Sequence, residues 1–67
     1  MTIPEVIAAN RKAMKLTQRQ LGEACGYEGR SAETVVQNWE YGKQPVPLDK
    51  IRILAATLQI SIDSLIP

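Results

Sequence analysis

A chain of 67 residues with 45% apolar and 22% charged side chains has room for one small domain and none for a second. Its single Cys25 excludes an internal disulfide and a cysteine-rich zinc site, and the absence of His removes the commonest general base and neutral metal ligand. The net charge of +1 names no partner, no apolar run nears the ~20 residues that span a bilayer, and Met1-Thr2-Ile3-Pro4-Glu5 lacks the basic start of a signal peptide.

No stretch alternates apolar and polar residues over a useful length, so an all-α fold is expected. Thr2 and Glu5 have capping-box spacing, and Pro4 sits where a missing N–H costs little. They predict a first helix from Ile3 to about Met14, with Val6, Ile7 and Met14 inward, helped by Ala13. Thr17 and Gln20 repeat the capping box and open a short second helix with Leu21 and Ala24 inward; Gly26 is placed to end it in a left-handed conformation. Tyr27 to Ser31 reads as a turn, with Ser31 as N-cap of the third helix. In that helix Ala32, Val35, Val36 and Trp39 fall at i, i+3, i+4 and i+7, one apolar stripe, before Gly42 stops it. Gln44-Pro45-Val46-Pro47 is a rigid connector. A fourth helix from near Leu48 carries Ile51, Leu54, Ala55 and Leu58 on one face and leaves Ile53, Ala56 and Ile60 as a second apolar edge. Ser61 caps a last short helix, Ile62 to about Leu65. Trp39 and Cys25 are expected in the core, and Tyr27 either at its edge or on a phosphate.

Opposite the stripe, the third helix presents Glu33, Thr34, Gln37 and Asn38, with Tyr41 just past its end. Asn and Gln match the N6/N7 edge of adenine, Glu accepts from cytosine N4, and a Thr methyl meets the thymine methyl. A merely solvated helix would show the same residue types, so the surroundings decide. Arg11, Lys12, Lys15, Arg19, Arg30 and Lys43, six of the eight cations, bracket the second and third helices. Phosphate binding needs cations and exposed N–H groups flanking a base-reading helix, and the Thr17-capped helix start offers an anion a partial positive charge. Interleaved Glu23, Glu28, Glu33 and Glu40 keep that field modest.

Three segments, in this order and at these separations, carry a resemblance. They are Asn10-Arg11-Lys12-Ala13-Met14-Lys15-Leu16-Thr17-Gln18-Arg19-Gln20-Leu21-Gly22, then Trp39-Glu40-Tyr41-Gly42-Lys43, then Leu54-Ala55-Ala56-Thr57-Leu58-Gln59-Ile60-Ser61-Ile62-Asp63-Ser64-Leu65. Together they resemble the DNA-binding domain of the phage Cro and cI repressors, over essentially the whole chain. The resemblance implies a compact five-helix bundle spanning residues 1–67 as one helix-turn-helix domain, its third helix in the major groove and its second across the backbone. By position, Glu33, Thr34 and Asn38 fall on base-reading sites. Gln18 falls on a residue that contacts phosphate and braces the recognition helix, among Lys15, Thr17 and Arg19 as further backbone candidates. Lys43 and Gln44 match a loop that touches backbone, and Arg11 and Glu40 match an interior salt bridge; two unrelated surface charges are the alternative.

Two departures stand out. The span from Gly26 to Gly42 is longer than usual by about four residues, which leaves open whether Glu33 leads the recognition helix or Arg30, Ser31 and Gln37 reach the bases instead. The connector also lacks an arginine suited to a narrow minor groove.

The expected function is a sequence-specific repressor of the Cro type, a homodimer on a pseudo-palindromic operator in double-stranded DNA. Its dimer surface would come from Val46, Ile53, Ile62, Leu65 and Ile66. The expectation includes a cytoplasmic location on DNA in a bacterial or phage-infected cell. It includes no enzyme activity, cofactor, metal, membrane or small-molecule ligand, and no second domain to receive an inducer. An antitoxin-type autoregulator and a protein-interaction module on the same fold are the alternatives.

Overall fold

The computed structural model describes residues 1–66. Four α-helices, α1 (Ile3–Ala13), α2 (Gln18–Ala24), α3 (Gly29–Glu40) and α4 (Leu48–Leu58), are followed by a single 3₁₀ turn, Ile62–Leu65. The expected fifth helix is therefore corrected to one 3₁₀ turn: Ser61 Oγ accepts from the Asp63 N–H, and the backbone bonds Ser64 to Ser61 and Ile66 to Asp63 are of the tight i→i+3 kind.

Both capping boxes form. The Thr2 hydroxyl accepts from the Glu5 N–H and the Glu5 carboxylate accepts from the Thr2 N–H; Thr17 and Gln20 repeat the pair. The Thr2 N–H and, beside it, the Thr2 hydroxyl both donate to Glu5 Oε1, and these two bonds hold the exposed Glu5 carboxyl below the usual carboxylate range.

Ile7, Leu21, Val36, Leu54 and Leu65 meet in the centre, closed by Cys25, Trp39, Ile51, Ala55 and Leu58. With no Phe available, this core is aliphatic around one indole. Tyr27 packs edge-on against Trp39, centroids 6.0 Å apart, and the Lys50 ammonium stands 5.1 Å from the Tyr27 ring centroid, pinning the α2–α3 turn to α4. Ala13 and Ala24 lie exposed, against expectation, and Met14 is 37% exposed and outside the core. The inward positions are Ile7, with Ile3 and Val6, on α1, and Leu21 and Gly22 on α2. Leu65 is likewise corrected: at 2% exposure it belongs to the core and offers no dimer surface. Packing of the last turn against both α1 and α4 turns it inward.

The α2–α3 contact is the closest in the fold. A Cβ on Gly22 would lie 2.6 Å from the Ala32 carbonyl carbon and 2.7 Å from its Cα, inside any real contact distance, so the two backbones touch directly. That contact sets where α3 sits along α2.

All four helices end the same way. Pairs of backbone bonds close each C-terminus in a Schellman pattern: Leu16 to Arg11 with Lys15 to Lys12, Tyr27 to Gly22 with Gly26 to Glu23, Lys43 to Asn38 with Gly42 to Trp39, and Ile60 to Ala55 with Gln59 to Ala56. Lys15, Gly26, Gly42 and Gln59 take the required positive φ. After three of these turns the chain returns an apolar residue to the core, Leu16, Tyr27 or Ile60. After α3 the corresponding residue is Lys43, exposed.

α3 begins at Gly29, two residues before the expected cap, and Ser31 lies inside its first turn. Gly29 has φ +58°, and Glu28 precedes the helix without a side-chain cap. Only residues 25–28 join α2 to α3. The segment expected as turn therefore contributes its last residues to α3.

Two outcomes follow from this packing. Gly22→Ala should force α2 and α3 apart and cost about 1–3 kcal/mol, lowering the thermal midpoint by roughly 4–8 °C for each kcal/mol. A midpoint within two or three degrees of the parent's would refute the close approach. Burial pushes the Cys25 thiol pKa up, against a smaller opposing effect of Lys50. A thiol reagent at neutral pH should therefore label the folded protein only as fast as it opens, and label it at once in denaturant.

Candidate nucleic-acid interface

Arg11 lies near the end of α1 and Glu40 at the end of α3. Arg11 Nε donates to Glu40 Oε2 at 2.6 Å and Nη2 donates to Oε1 at 3.2 Å, with the two side chains 11% and 6% exposed. The third arm, Nη1, donates to the Leu16 carbonyl at 2.8 Å. One guanidinium thus ties the end of α1, the α1–α2 turn and the end of α3.

The polar chain continues along α3. Gln18, the first residue of α2, donates from Nε2 to Glu40 Oε1 at 3.1 Å and accepts at Oε1 from Gln37 Nε2 at 3.3 Å. Gln37 Nε2 also reaches Glu33 Oε2 at 3.4 Å. Carboxylates accept only, and one stands at each end of this chain, so both amide orientations are forced. Gln37 turns its N–H groups inward and keeps its carbonyl oxygen for an external donor.

With Ala32, Val36 and Trp39 buried, helical spacing sets Arg30, Thr34, Gln37 and Tyr41 along the outermost line of α3. Arg30, Thr34 and Tyr41 are exposed. Asn38 flanks the line, half-buried, and its side chain makes no hydrogen bond among the described residues. Glu33 flanks the other side, toward Gln18. Its link to Gln37 draws it away from the centre of the face.

The cations lie around this face. Lys15 and Arg19 are exposed on the α1–α2 side, Arg30 at the start of α3, and Lys43 with Gln44 just past its end. Residues 11–43 carry six cations against four carboxylates and the remainder of the chain two against three, so the positive excess lies wholly in this segment. Glu40 is neutralised by Arg11, and Glu23 partly by Arg19 at 3.3 Å in an exposed pair. Among the described residues no cluster of His, Cys, Asp or Glu is suited to hold a metal ion, and no helix is long and apolar enough to cross a membrane.

A helix-turn-helix family model matches residues 7–65. The chain belongs to the helix-turn-helix family of the Cro/cI type, whose members are DNA-binding regulators and not a catalytic class. No curated protein and no solved structure matches it significantly.

The structure thus brings Arg11, Gln18, Glu33, Gln37 and Glu40 into one chain, with Arg30, Thr34 and Asn38 outside it. Val46 packs against the core, whereas Ile53, Ile62 and Ile66 are exposed at the far side of the domain's sequence. Sequence reasoning missed Gly22 and Leu48. A glycine inside a seven-residue helix, where alanine is the better helix former, was the available signal for the first. Leu48, 86% exposed at the start of α4, carries no local signal of its exposure.

The buried pair can be tested against its neighbours. Arg11→Ala or Glu40→Ala strands a charge and should cost about 3–5 kcal/mol. The double variant Arg11→Met/Glu40→Met should recover much of that loss, because it strands none. Single variants that melt within a degree or two of the parent would overturn the assignment.

Proposed function

We propose that this protein is a sequence-specific repressor of the Cro type, two copies of which bind a pseudo-palindromic operator with α3 in the major groove. The observation that carries this reading is the row Arg30, Thr34 and Gln37, with Asn38 beside it, on a helix whose rotation is fixed by a buried stripe and a polar chain. Arg30 is suited to guanine O6/N7, Asn38 to adenine N6/N7, and Thr34 to a thymine methyl. Gln37, with only its oxygen turned outward, suits a cytosine or adenine amino group. Lys15, Thr17, Gln18, Arg19, Lys43 and Gln44 supply contacts to phosphates, which position the helix and carry no sequence information. Glu33 repels phosphate and so works against binding away from the operator.

The need for two copies rests on size. The longest dimension of the domain is 28 Å, shorter than the ~34 Å between successive major-groove faces on one side of DNA. One domain reads one half-site, and a single module of this kind covers too little DNA for tight specific binding. Repression then follows from occupancy, since proteins seated in two successive grooves exclude other proteins from that stretch.

Selection of bound duplexes from a random pool should return a palindrome with half-site centres one helical turn apart. On that duplex Asn38→Ala and Arg30→Ala should each lose about 1–3 kcal/mol and relax the preference at one base pair. Lys43→Ala should weaken selected and random DNA alike and make the salt slope about one unit shallower. A pool that returns no consensus, or base preferences untouched by both α3 variants, would sink this reading.

A further inference from the structure

Beside the outermost line of α3 lies a depression of about 310 Å³, lined by Arg30, Ser31, Thr34 and Val35. Arg30 stands one turn before Thr34 and Ser31 one turn before Val35, so the four side chains surround one space. Val35 is half-buried: it packs against the core and also forms part of this wall. The Val35 methyls, the Thr34 methyl and the stem of Arg30 make the lining apolar, and no carboxylate belongs to it. The ion pairs of the described residues join Arg11 to Glu40 and Arg19 to Glu23, and neither engages Arg30.

An apolar hollow on a base-reading face needs an apolar occupant. The edge of a base pair offers the major groove one apolar substituent, the C5-methyl of a pyrimidine; the features beside it are donors and acceptors. Thymine always carries that methyl, and cytosine carries it only when methylated. In B-form DNA the C5 position of a pyrimidine lies over the N7 edge of the purine that follows it on the same strand. A guanidinium forked on guanine O6 and N7 therefore passes beside the methyl of the preceding pyrimidine, and here the hollow opens along the Arg30 stem. The Ser31 and Thr34 hydroxyls both donate and accept, so they meet thymine O4 or cytosine N4 alike. The methyl is left to decide.

We propose that this depression receives the C5-methyl of the pyrimidine preceding the guanine that Arg30 reads. The step read is then thymine–guanine, or cytosine–guanine carrying a C5-methyl. This rests on the operator reading above and assigns Arg30 and Thr34 to neighbouring bases of one step. It also makes binding responsive to DNA modification: at a cytosine–guanine step, C5 methylation strengthens binding.

The test uses the palindrome selected from random DNA, with that one position of each half-site made thymine, uracil, cytosine or 5-methylcytosine. Uracil differs from thymine by the methyl alone, as cytosine differs from 5-methylcytosine. Burial of one methyl corresponds to about 4-fold in affinity, so thymine should bind about 10- to 20-fold tighter than uracil over two half-sites. 5-Methylcytosine should exceed cytosine by a similar ratio. Val35→Thr keeps the shape of the wall and places a hydroxyl in it, and should bring the thymine-to-uracil ratio near unity. Thr34→Ser removes a wall methyl at an exposed position, where the fold does not depend on it, and should lower the ratio part of the way. Each ratio compares two duplexes on one protein, so a general loss of affinity or stability cancels.

Uracil matching thymine at that position, or cytosine matching 5-methylcytosine, would overturn the pocket and leave the repressor standing. So would a consensus in which Arg30→Ala relaxes no guanine, a purine preceding that guanine, or a ratio that both wall variants leave intact. A pool that returns no consensus would overturn the operator reading and the pocket together.

Discussion

Arg11 is the residue on which the orientation of this domain depends. Its three donor arms span the end of α1, the turn into α2 and the end of α3, and each meets an acceptor. A lysine cannot replace it: an ammonium has no planar fork to hold both Glu40 oxygens while also reaching the Leu16 carbonyl. A buried pair of this kind is weak evidence for stability, because desolvating two charges offsets most of their attraction. What it adds is geometry. Glu40 passes its second contact to Gln18, and Gln18 passes one to Gln37, so the start of α2 and the middle of α3 keep one mutual rotation. The buried stripe through Val36 and Trp39 fixes the same rotation from the apolar side. Two independent constraints therefore aim one outer face of α3.

The four helix ends show how a small domain divides stability from function. Each closes with the same pair of backbone bonds, and each then commits one residue to a fixed direction. Leu16, Tyr27 and Ile60 use that direction to reach the core. Lys43 does not, and the end of α3 forgoes the apolar latch found at the other three. In its place α3 has the Glu40 contact to Arg11 from one side and the Trp39 contact to Tyr27 from the other. The residue freed from packing is the exposed cation Lys43, which the proposed function assigns to a phosphate.

Much of the fold was legible because its signals are local. Capping boxes at Thr2 and Thr17 mark helix starts whatever the rest of the chain does, and the spacing of Ile51, Leu54, Ala55 and Leu58 marks a buried face. What misled lacks a local signal. Ser31 has the chemistry of an N-cap, yet α3 starts at Gly29 without any side-chain cap, since Gly29 can take the φ the turn requires. Ala13 and Ala24 fit either a core or a surface, and alanine carries too little apolar area to decide between them. Leu65 and Leu48 are the same residue type at the edges of helical segments. One is buried and the other exposed because α1 and α4 close over the last turn and nothing covers the first residue of α4. On α3 the buried stripe Ala32, Val36 and Trp39, and so the exposed face opposite it, was legible from helical spacing. The chain from Glu40 through Gln18 to Glu33 was legible only in part, because hydrogen bonds between residues about twenty apart leave no periodicity.

The early start of α3 at Gly29 bears on the proposed readout. α3 is held against α2 where Gly22 meets Ala32, so the residues before Ala32 overhang that contact. In recognition helices the N-terminal residues contact the base edges. In the proposed complex the overhang therefore brings Arg30 to the groove ahead of Glu33, replacing an acceptor suited to cytosine with a donor fork suited to guanine. Glu33 is left on the flank, joined to Gln37. In that complex the early start of α3 would add Arg30 ahead of Glu33 while the buried positions Ala32, Val36 and Trp39 stay in the core.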